Sequence, residues 1–127
     1  MIERRWHLHV ITTDEATTIG AEEYIVHDTA QSKPIILQIA SIYVPRKMDR
    51  VAALQYALSE IALLSDGADS IYVKCADMRV HHMKDDILKP FKTSSIRLKW
   101  TSKKRLGDAV LLAEDALNRK STIIESL

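Results

Sequence analysis

The sequence predicts an α/β domain in which a five-stranded mixed sheet carries helices on both faces. Three segments with strand patterns come first, with no helical pattern between them. Two further strand patterns follow, and helical patterns precede, separate and follow them. The chain has 127 residues, enough for one domain that buries a core without disulfides, and its 46% hydrophobic content is typical of globular proteins. We therefore expect a single domain, residues 1–127, with an ordered core over about residues 5–119.

The first three strands are predicted to be antiparallel. Residues 6–12 alternate between apolar and polar side chains, which is typical of a strand with one buried face. A turn near Gly20 is expected to precede the second strand, residues 23–27. A nearly continuous apolar run over residues 35–44 predicts the third strand. The short connections between these segments favour hairpins.

The rest of the chain alternates between helices and strands. The predicted elements are a helix capped by Asp49, a strand over residues 70–75, a short helix over 78–88, a strand over 96–100 and a last helix capped by Thr101 or Ser102. Helical crossovers of this length permit parallel pairing, so the fourth and fifth strands are expected to run parallel to the first. The tail after Lys120 is expected to fray.

This order of elements resembles the ribonuclease H superfamily over nearly the whole chain. Four short segments carry the resemblance, namely residues 11–16, 48–58, 98–101 and 107–111. The resemblance implies the ribonuclease H fold in a compact form. In active members it also implies cleavage of the RNA strand of RNA/DNA hybrids with two Mg²⁺ ions, which requires several converging carboxylates.

The acidic ligands that the resemblance implies are incomplete in this chain. Asp14 and Asp108 match the first and last ligand positions, and Asp77 lies one residue after the third, which falls on Ala76. The glutamate of the first helix falls on Ala52. We therefore predict a degenerate site with Asp14 and Asp108 as remnant metal ligands, Asp77 as a third candidate, and no assigned catalytic residue. Aspartates at a turn and at a helix start are also explained by ordinary capping, so this alternative stays open.

A basic stretch near the C-terminus indicates a second candidate site. Lys99, Lys103, Lys104 and Arg105 lie close together in the sequence with Trp100 among them and no acid between them. Cations neutralise phosphates and an aromatic ring can stack on a base, so these four residues are predicted to bind nucleic acid. Three cations at a helix N-terminus would oppose the helix dipole, which favours a functional reason for them. The structural alternative is a solvated strand face with Trp100 in the core.

Composition excludes several classes of protein. The net charge of +1 is too small for a strong global field, so nucleic-acid binding would need a local patch. One cysteine, Cys75, excludes an internal disulfide. Neither a signal peptide nor a membrane-spanning segment is recognisable, so we expect a soluble, cytoplasmic protein.

Three functions follow from these observations. The leading hypothesis is a ribonuclease H-like domain with little or no catalysis that binds nucleic acid, as an RNA/DNA hybrid or duplex, or a protein partner. The first alternative is an active ribonuclease H, which would require Mg²⁺; otherwise no cofactor is expected. The second is a structural or dimerisation subunit without nucleic-acid contact, and homo-oligomers are compatible with each hypothesis.

Overall fold

Six strands form one mixed sheet in the computed structural model of the chain, which describes residues 2–25, 34–92 and 95–127. The strands are β1 (Glu3–Thr12), β2 (Thr17–Ile25), β3 (Ile35–Val44), β4 (Ser70–Cys75), β5 (Ile96–Trp100) and β6 (Ile123–Ser126). Their order across the sheet is β5-β4-β1-β2-β3-β6. The predicted pairing is confirmed, because β1, β2 and β3 are antiparallel neighbours and β4 and β5 run parallel to β1.

The helices lie on both faces of the sheet, as predicted. They are α1 (Arg50–Leu64), α2 (Arg79–His82), α3 (Lys84–Leu88) and α4 (Ala109–Arg119), with 3₁₀ turns at Lys89–Phe91 and Lys103–Arg105. The single short helix predicted over residues 78–88 is therefore two helices, which meet at Met83. Among the described residues, no helix combines the length and the apolar character needed to cross a membrane.

The C-terminal residues form a sixth strand that was not predicted. Residues 123–126 pair antiparallel with β3, so the expectations of five strands and of a fraying tail after Lys120 are wrong. Lys120 ends α4 in the left-handed region, with a φ of 57°, and this conformation turns the chain back toward the sheet edge. The signal was missed because a four-residue edge strand has too few residues to show a pattern.

The hairpin between β1 and β2 lies earlier in the chain than predicted. The turn is formed by residues 13–16, where the hydroxyl of Thr13 accepts hydrogen bonds from the backbone N–H groups of Glu15 and Ala16. β2 therefore begins at Thr17 and contains Gly20, which the sequence had indicated as a turn. Residues 26 and 27 of the predicted second strand lie outside the described residues.

Helix α1 covers one face of the sheet with a stripe of apolar side chains. Asp49 caps it as predicted, because its carboxylate accepts a hydrogen bond from the backbone N–H of Ala52. The buried residues of the helix follow the i, i+3/i+4 spacing and are Ala53, Leu54, Ala57, Leu58 and Ile61. Beneath them Trp6 is fully buried, and its indole N–H donates to the hydroxyl of Ser65 at 2.8 Å.

Helix α4 covers the opposite face at very short range. Its buried residues are the small Ala109, Ala113 and Ala116, and it packs mainly on β2. A Cβ atom on Gly20 would lie 1.9 Å from the carbonyl oxygen of Ala109 and 2.5 Å from the nitrogen of Ala113. Gly20 is therefore required by close helix–sheet packing. The predicted start of the last helix after Thr101 or Ser102 is wrong, because α4 begins at Ala109.

Two adjacent glutamates of β2 are buried on opposite faces of the sheet. Glu23 forms a bidentate pair with Arg4 and also accepts a hydrogen bond from Gln38 at 2.9 Å. Glu22 accepts a hydrogen bond from the backbone N–H of Asp108, which fixes the chain just before α4. Both carboxylates thus stabilise the fold through groups that are distant in the sequence.

Candidate functional site

Asp77 follows the C-terminal end of β4, and two arginines hold its carboxylate. Nε of Arg50 donates to Oδ2 at 2.6 Å, and the backbone N–H of Arg79 donates to Oδ1 at 2.9 Å. The guanidinium of Arg79 lies 3.6 Å from Oδ1. The Asp77 side chain is only 5% exposed, and these two hydrogen bonds occupy one lone pair on each of its carboxylate oxygens.

The charge of Asp77 is stabilised by these neighbours. Burial alone would raise the pKa of Asp77, but the N–H of Arg79 and the guanidinium of Arg50 together lower that pKa below its ordinary value. Arg50 also donates to the hydroxyl of Thr12 at 3.2 Å, so its side chain links the ends of β1 and β4. A permanent positive charge therefore lies where a cation would otherwise bind this carboxylate.

Asp14 lies in the hairpin turn, away from Asp77. Its side chain is 95% exposed, and its only ion pair among the described residues is with Lys47 at 3.4 Å. The parallel register pairs Leu8 of β1 with Cys75 of β4, and continuing it places Asp77 level with Val10. Asp14 lies four residues further along, beyond the end of β1 at Thr12. No carboxylate of β1 lies beside Asp77.

Asp108 lies over the middle of the sheet rather than at the end of β1. Its backbone N–H is bonded to Glu22, and Glu22 pairs in register with His7. Five residues, about 17 Å of strand, separate His7 from Thr12 at the hairpin turn. The structure therefore does not bring Asp108 and Asp14 side by side, and their role as remnant metal ligands stays a prediction.

The geometry does not fit the metal pair that the resemblance implies. Within residues 2–25, 34–92 and 95–127, no group of three or more His, Cys, Asp or Glu side chains is arranged to hold a metal ion. Ala52 of α1 provides no oxygen, and the α1 side chain that reaches the end of β4 is the cation of Arg50. Two Mg²⁺ ions need several hard oxygen ligands within a few ångströms, and the end of β4 offers them a single carboxylate that is already paired with arginine.

On the face of the sheet that α4 partly covers, β4 and β5 carry a cluster of cations around one aromatic ring. The parallel registers align Arg5, Tyr72 and Arg97 in one row across three strands. They align His7, Lys74 and Lys99 in the next row, about 6.6 Å away along the strands. Together with the nearby Arg105, the cations and the ring form what we call the basic sheet face: Arg5, Tyr72, Lys74, Arg97, Lys99 and Arg105.

This face remains accessible because α4 packs on β2, β1 and β3 rather than on β4 and β5. Arg97 and Lys99 are exposed, and Tyr72 is half-buried. The charged groups of Arg5 and Lys74 lie over the Tyr72 ring, 5.9 and 5.8 Å from its centroid. The aromatic ring is thus bordered by positive charge within the sheet surface.

A cleft lies at one end of the basic sheet face. Its volume is about 430 Å³, and its lining residues are Lys74, Lys99, Trp100, Thr101, Ser102 and Arg105. Three cations and two hydroxyl groups therefore border a space of the size that small ligands occupy. Two of the predicted nucleic-acid-binding residues, Lys99 and Arg105, meet in this cleft.

The cations of the basic sheet face outnumber the acids beside them, because Glu3 borders the same surface as Arg5, Lys74 and Arg97. Burial lowers the pKa of Lys74, and the charges of Lys99, Arg5 and Arg105 lower it further. Among the described residues the one ion pair of this face joins Arg5 to Glu3 at 3.4 Å, and both side chains are substantially exposed. The structure thus places Lys74 close to three other positive charges.

Lys103 and Lys104 lie on the 3₁₀ turn with Arg105, and all three are exposed. The prediction that they oppose a helix dipole is wrong, because α4 begins only at Ala109. On β1, burial first and then the charges of Lys103 and Arg50 lower the pKa of His9. Of these three residues, Arg105 lines the cleft.

Trp100 and Cys75 both pack against or within the hydrophobic core. Trp100 is half-buried against the core, and its indole N–H donates to the carbonyl of Ala76 at 3.1 Å. Cys75 is buried, as predicted, and burial raises the pKa of its thiol to about 11. The thiol is therefore protonated at neutral pH and unsuited to nucleophilic chemistry.

Solved structures with the same arrangement of strands and helices decide the fold. The N-terminal RNase H domain of Rv2228c from Mycobacterium tuberculosis, solved as a fusion with maltose-binding protein, matches with a TM-score of 0.60 at 18% identity. That match covers 90% of this chain and 98% of that chain. This chain has a ribonuclease H-like fold.

A second ribonuclease H gives the same result. RNase H1 from the halophilic archaeon Halobacterium salinarum NRC-1 matches with a TM-score of 0.54 at 12% identity, over 92% of this chain and 98% of that chain. No protein-family model matches the sequence, and no curated protein does. At these identities the ribonuclease H likeness establishes the fold alone.

Sequence reasoning missed Arg50 as the partner of Asp77, and it missed Arg5, Tyr72 and Lys74. The alternation in β4, with Ile71, Val73 and Cys75 buried, was a usable signal that Tyr72 and Lys74 share the opposite side. The position of Arg5 beside them depends on the parallel register, which a sequence pattern does not specify.

Proposed function

We propose that this ribonuclease H-like domain has little or no catalytic activity and serves as a nucleic-acid-binding module. The observation that supports the lack of catalysis is the ion pair between Arg50 and Asp77. The Asp77 carboxylate is buried and already paired with the charges of two arginines, and these fixed positive charges repel a metal ion.

The absence of cleavage is a testable consequence. A hybrid-cleavage assay with Mg²⁺ or Mn²⁺ should give no more product than the Asp77→Asn variant gives, because neither protein holds a metal pair. The Asp14→Asn variant serves as a second control on the exposed turn. Metal-dependent cutting of the RNA strand that disappears in either variant would instead establish an active ribonuclease H.

The second part of the proposal is supported by the distribution of charge. The net charge of the chain is only +1, yet five cations border Tyr72 and the cleft on one side of the sheet, with Glu3 as the acid among them. Such a local excess of cations attracts a polyanion, and phosphate groups gain most from it because binding releases condensed counterions. Lys103 and Lys104 extend the positive surface beyond the cleft.

Salt dependence tests this binding. Affinity for nucleic acid should fall by about 100-fold between about 50 and about 200 mM salt if about four phosphates are neutralised. Lys103→Glu with Lys104→Glu should weaken binding and reduce the slope of log affinity against log salt by about 1 to 2. Fluorescence anisotropy with a labelled oligonucleotide measures both quantities.

The matched control makes the same change in net charge elsewhere. Lys84→Glu with Lys120→Glu alters two exposed lysines on α3 and at the end of α4, away from the cleft. If this control lowers affinity as much as the Lys103 and Lys104 variant does, the attraction is nonspecific. Absent or salt-insensitive binding would favour the second candidate function.

The second candidate is a protein contact, including contact with another copy of the chain. β6 is an edge strand with exposed Ile123 and Ile124, and its outer edge pairs with no strand among the described residues. Unpaired edges of this kind can add a strand from a partner. The nucleic-acid proposal ranks first because it accounts for the cations, which an edge contact leaves unexplained.

A further inference from the structure

The basic sheet face has a feature that a purely electrostatic surface does not need. Tyr72 lies between Arg5 and Arg97 in one cross-strand row, directly beside the row that contains Lys74 and Lys99. All of these side chains project from the same side of the sheet, because residues two apart on a strand share a face. An aromatic ring thus lies inside the cationic surface rather than in the core.

A duplex and a single strand would use such a surface differently. A duplex presents phosphates on its outside and hides the faces of its bases, so it could pair with the cations but could not stack on Tyr72. A single strand exposes base faces, and stacking on an aromatic side chain adds to phosphate neutralisation. The combination of ring and cations therefore favours the single strand.

We propose that single-stranded nucleic acid lies across the basic sheet face, with one base stacked on Tyr72 and the flanking phosphates on the two rows of cations. The neighbouring nucleotide enters the cleft between Lys74, Lys99 and Arg105, where Thr101 and Ser102 offer hydroxyl groups. This site rests on the proposed nucleic-acid binding and specifies its ligand and its location.

The volume of the cleft agrees with this placement. About 430 Å³ suits one small ligand group and is too small for a helical duplex. The location also differs from the end of β4, where Arg50 and Asp77 lie, so the binding site does not depend on the acids that the resemblance implies. Binding an anion beside Lys74 would also relieve the repulsion among its neighbours.

The test compares two probes on one protein. Anisotropy titrations use an oligouridylate of about 12 nucleotides and an RNA/DNA hybrid of the same length. The oligouridylate should bind more tightly than the hybrid. Tyr72→Leu should weaken oligouridylate binding by about 5- to 150-fold, the range expected for loss of one stacked base, whereas Tyr72→Phe should retain it.

Charge variants keep the test decisive if Tyr72→Leu folds poorly by circular dichroism. Arg97 is exposed, so Arg97→Gln removes a cation without disturbing the core, and it should weaken oligouridylate binding and reduce the salt slope by about 0.7. Lys84→Gln removes an equivalent charge on α3 and should leave binding unchanged.

The outcomes separate this site from the proposed function. Hybrid binding as tight as oligouridylate binding, or full oligouridylate affinity in Tyr72→Leu or Arg97→Gln, would overturn the single-strand site and leave nucleic-acid binding in place. Failure of both probes to bind at low salt would overturn the single-strand site and the proposed function together.

Discussion

Gly20→Ala is expected to lower the free energy of unfolding by at least about 3 kcal/mol, at or above the upper end of ordinary overpacking. The added methyl group would lie 1.9 Å from the carbonyl oxygen of Ala109 and 2.5 Å from the nitrogen of Ala113. Both atoms belong to helix backbone, so no side-chain rotation can relieve the clash. Helix α4 must move away from β2, and the midpoint of urea unfolding measures the loss.

Gly67→Ala is the matched control for this substitution. Gly67 also lacks a side chain, but nothing lies within 4 Å of its missing Cβ, and its φ of 81° is the only obstacle to alanine. The control should therefore cost about 1 kcal/mol, the strain of a left-handed residue. Equal losses in the two variants would mean that α4 lies further from the sheet than these distances require.

Gly20 also explains why part of the fold could not be predicted. A glycine after a strand pattern locally favours a turn, so the sequence placed the start of the second strand at residue 23. The need for glycine comes instead from a helix about 90 residues later in the chain. By contrast, the cap at Asp49 and the shared buried face of Trp6, Leu8 and Val10 on β1 depend on neighbouring residues, and both predictions are confirmed.

In the candidate site, too, contacts between residues close in sequence were predictable and contacts between distant residues were not. Lys99 and Arg105 are close in sequence, so the basic stretch already grouped them, and the structure places both in the lining of one cleft. The pairing of Arg50 with Asp77 joins the start of a helix to the end of a later strand, and no local pattern specifies it. Single acids were therefore recognisable, whereas their partners required the three-dimensional structure.

Arg50→Met is expected to destabilise the protein by about 2 kcal/mol, because it leaves Asp77 buried without its main ionic partner. The value lies below that for a fully buried pair since the Arg50 side chain is 23% exposed. Adding Asp77→Asn should recover part of the loss, which a double-mutant cycle of urea midpoints measures. Lys47→Met breaks the exposed pair with Asp14 and should have little effect.

The pH dependence gives a second readout of the same pair. The pKa of Asp77 is lowered in the folded protein, so the ionised carboxylate contributes to the free energy of unfolding. This contribution is fully present above the ordinary aspartate pKa of about 3.9, and it is lost as the pH falls through the lower pKa of the folded state. Without Arg50, the effect of burial is opposed less, so the pKa of Asp77 rises. Acid unfolding of Arg50→Met should therefore begin at higher pH than that of the wild type, and coincident acid transitions would contradict the assigned role of Arg50.

Arg50→Met is not expected to restore cleavage, even though it uncovers Asp77. The β1 residue level with Asp77 is Val10, and Ala52 on α1 supplies no oxygen. Within the part of the chain that the structure describes, no three metal-binding side chains converge there. One uncovered carboxylate cannot hold a pair of divalent ions, so the variant is expected to give no metal-dependent product. Metal-dependent hybrid cleavage by Arg50→Met would show instead that Arg50 alone blocks catalysis.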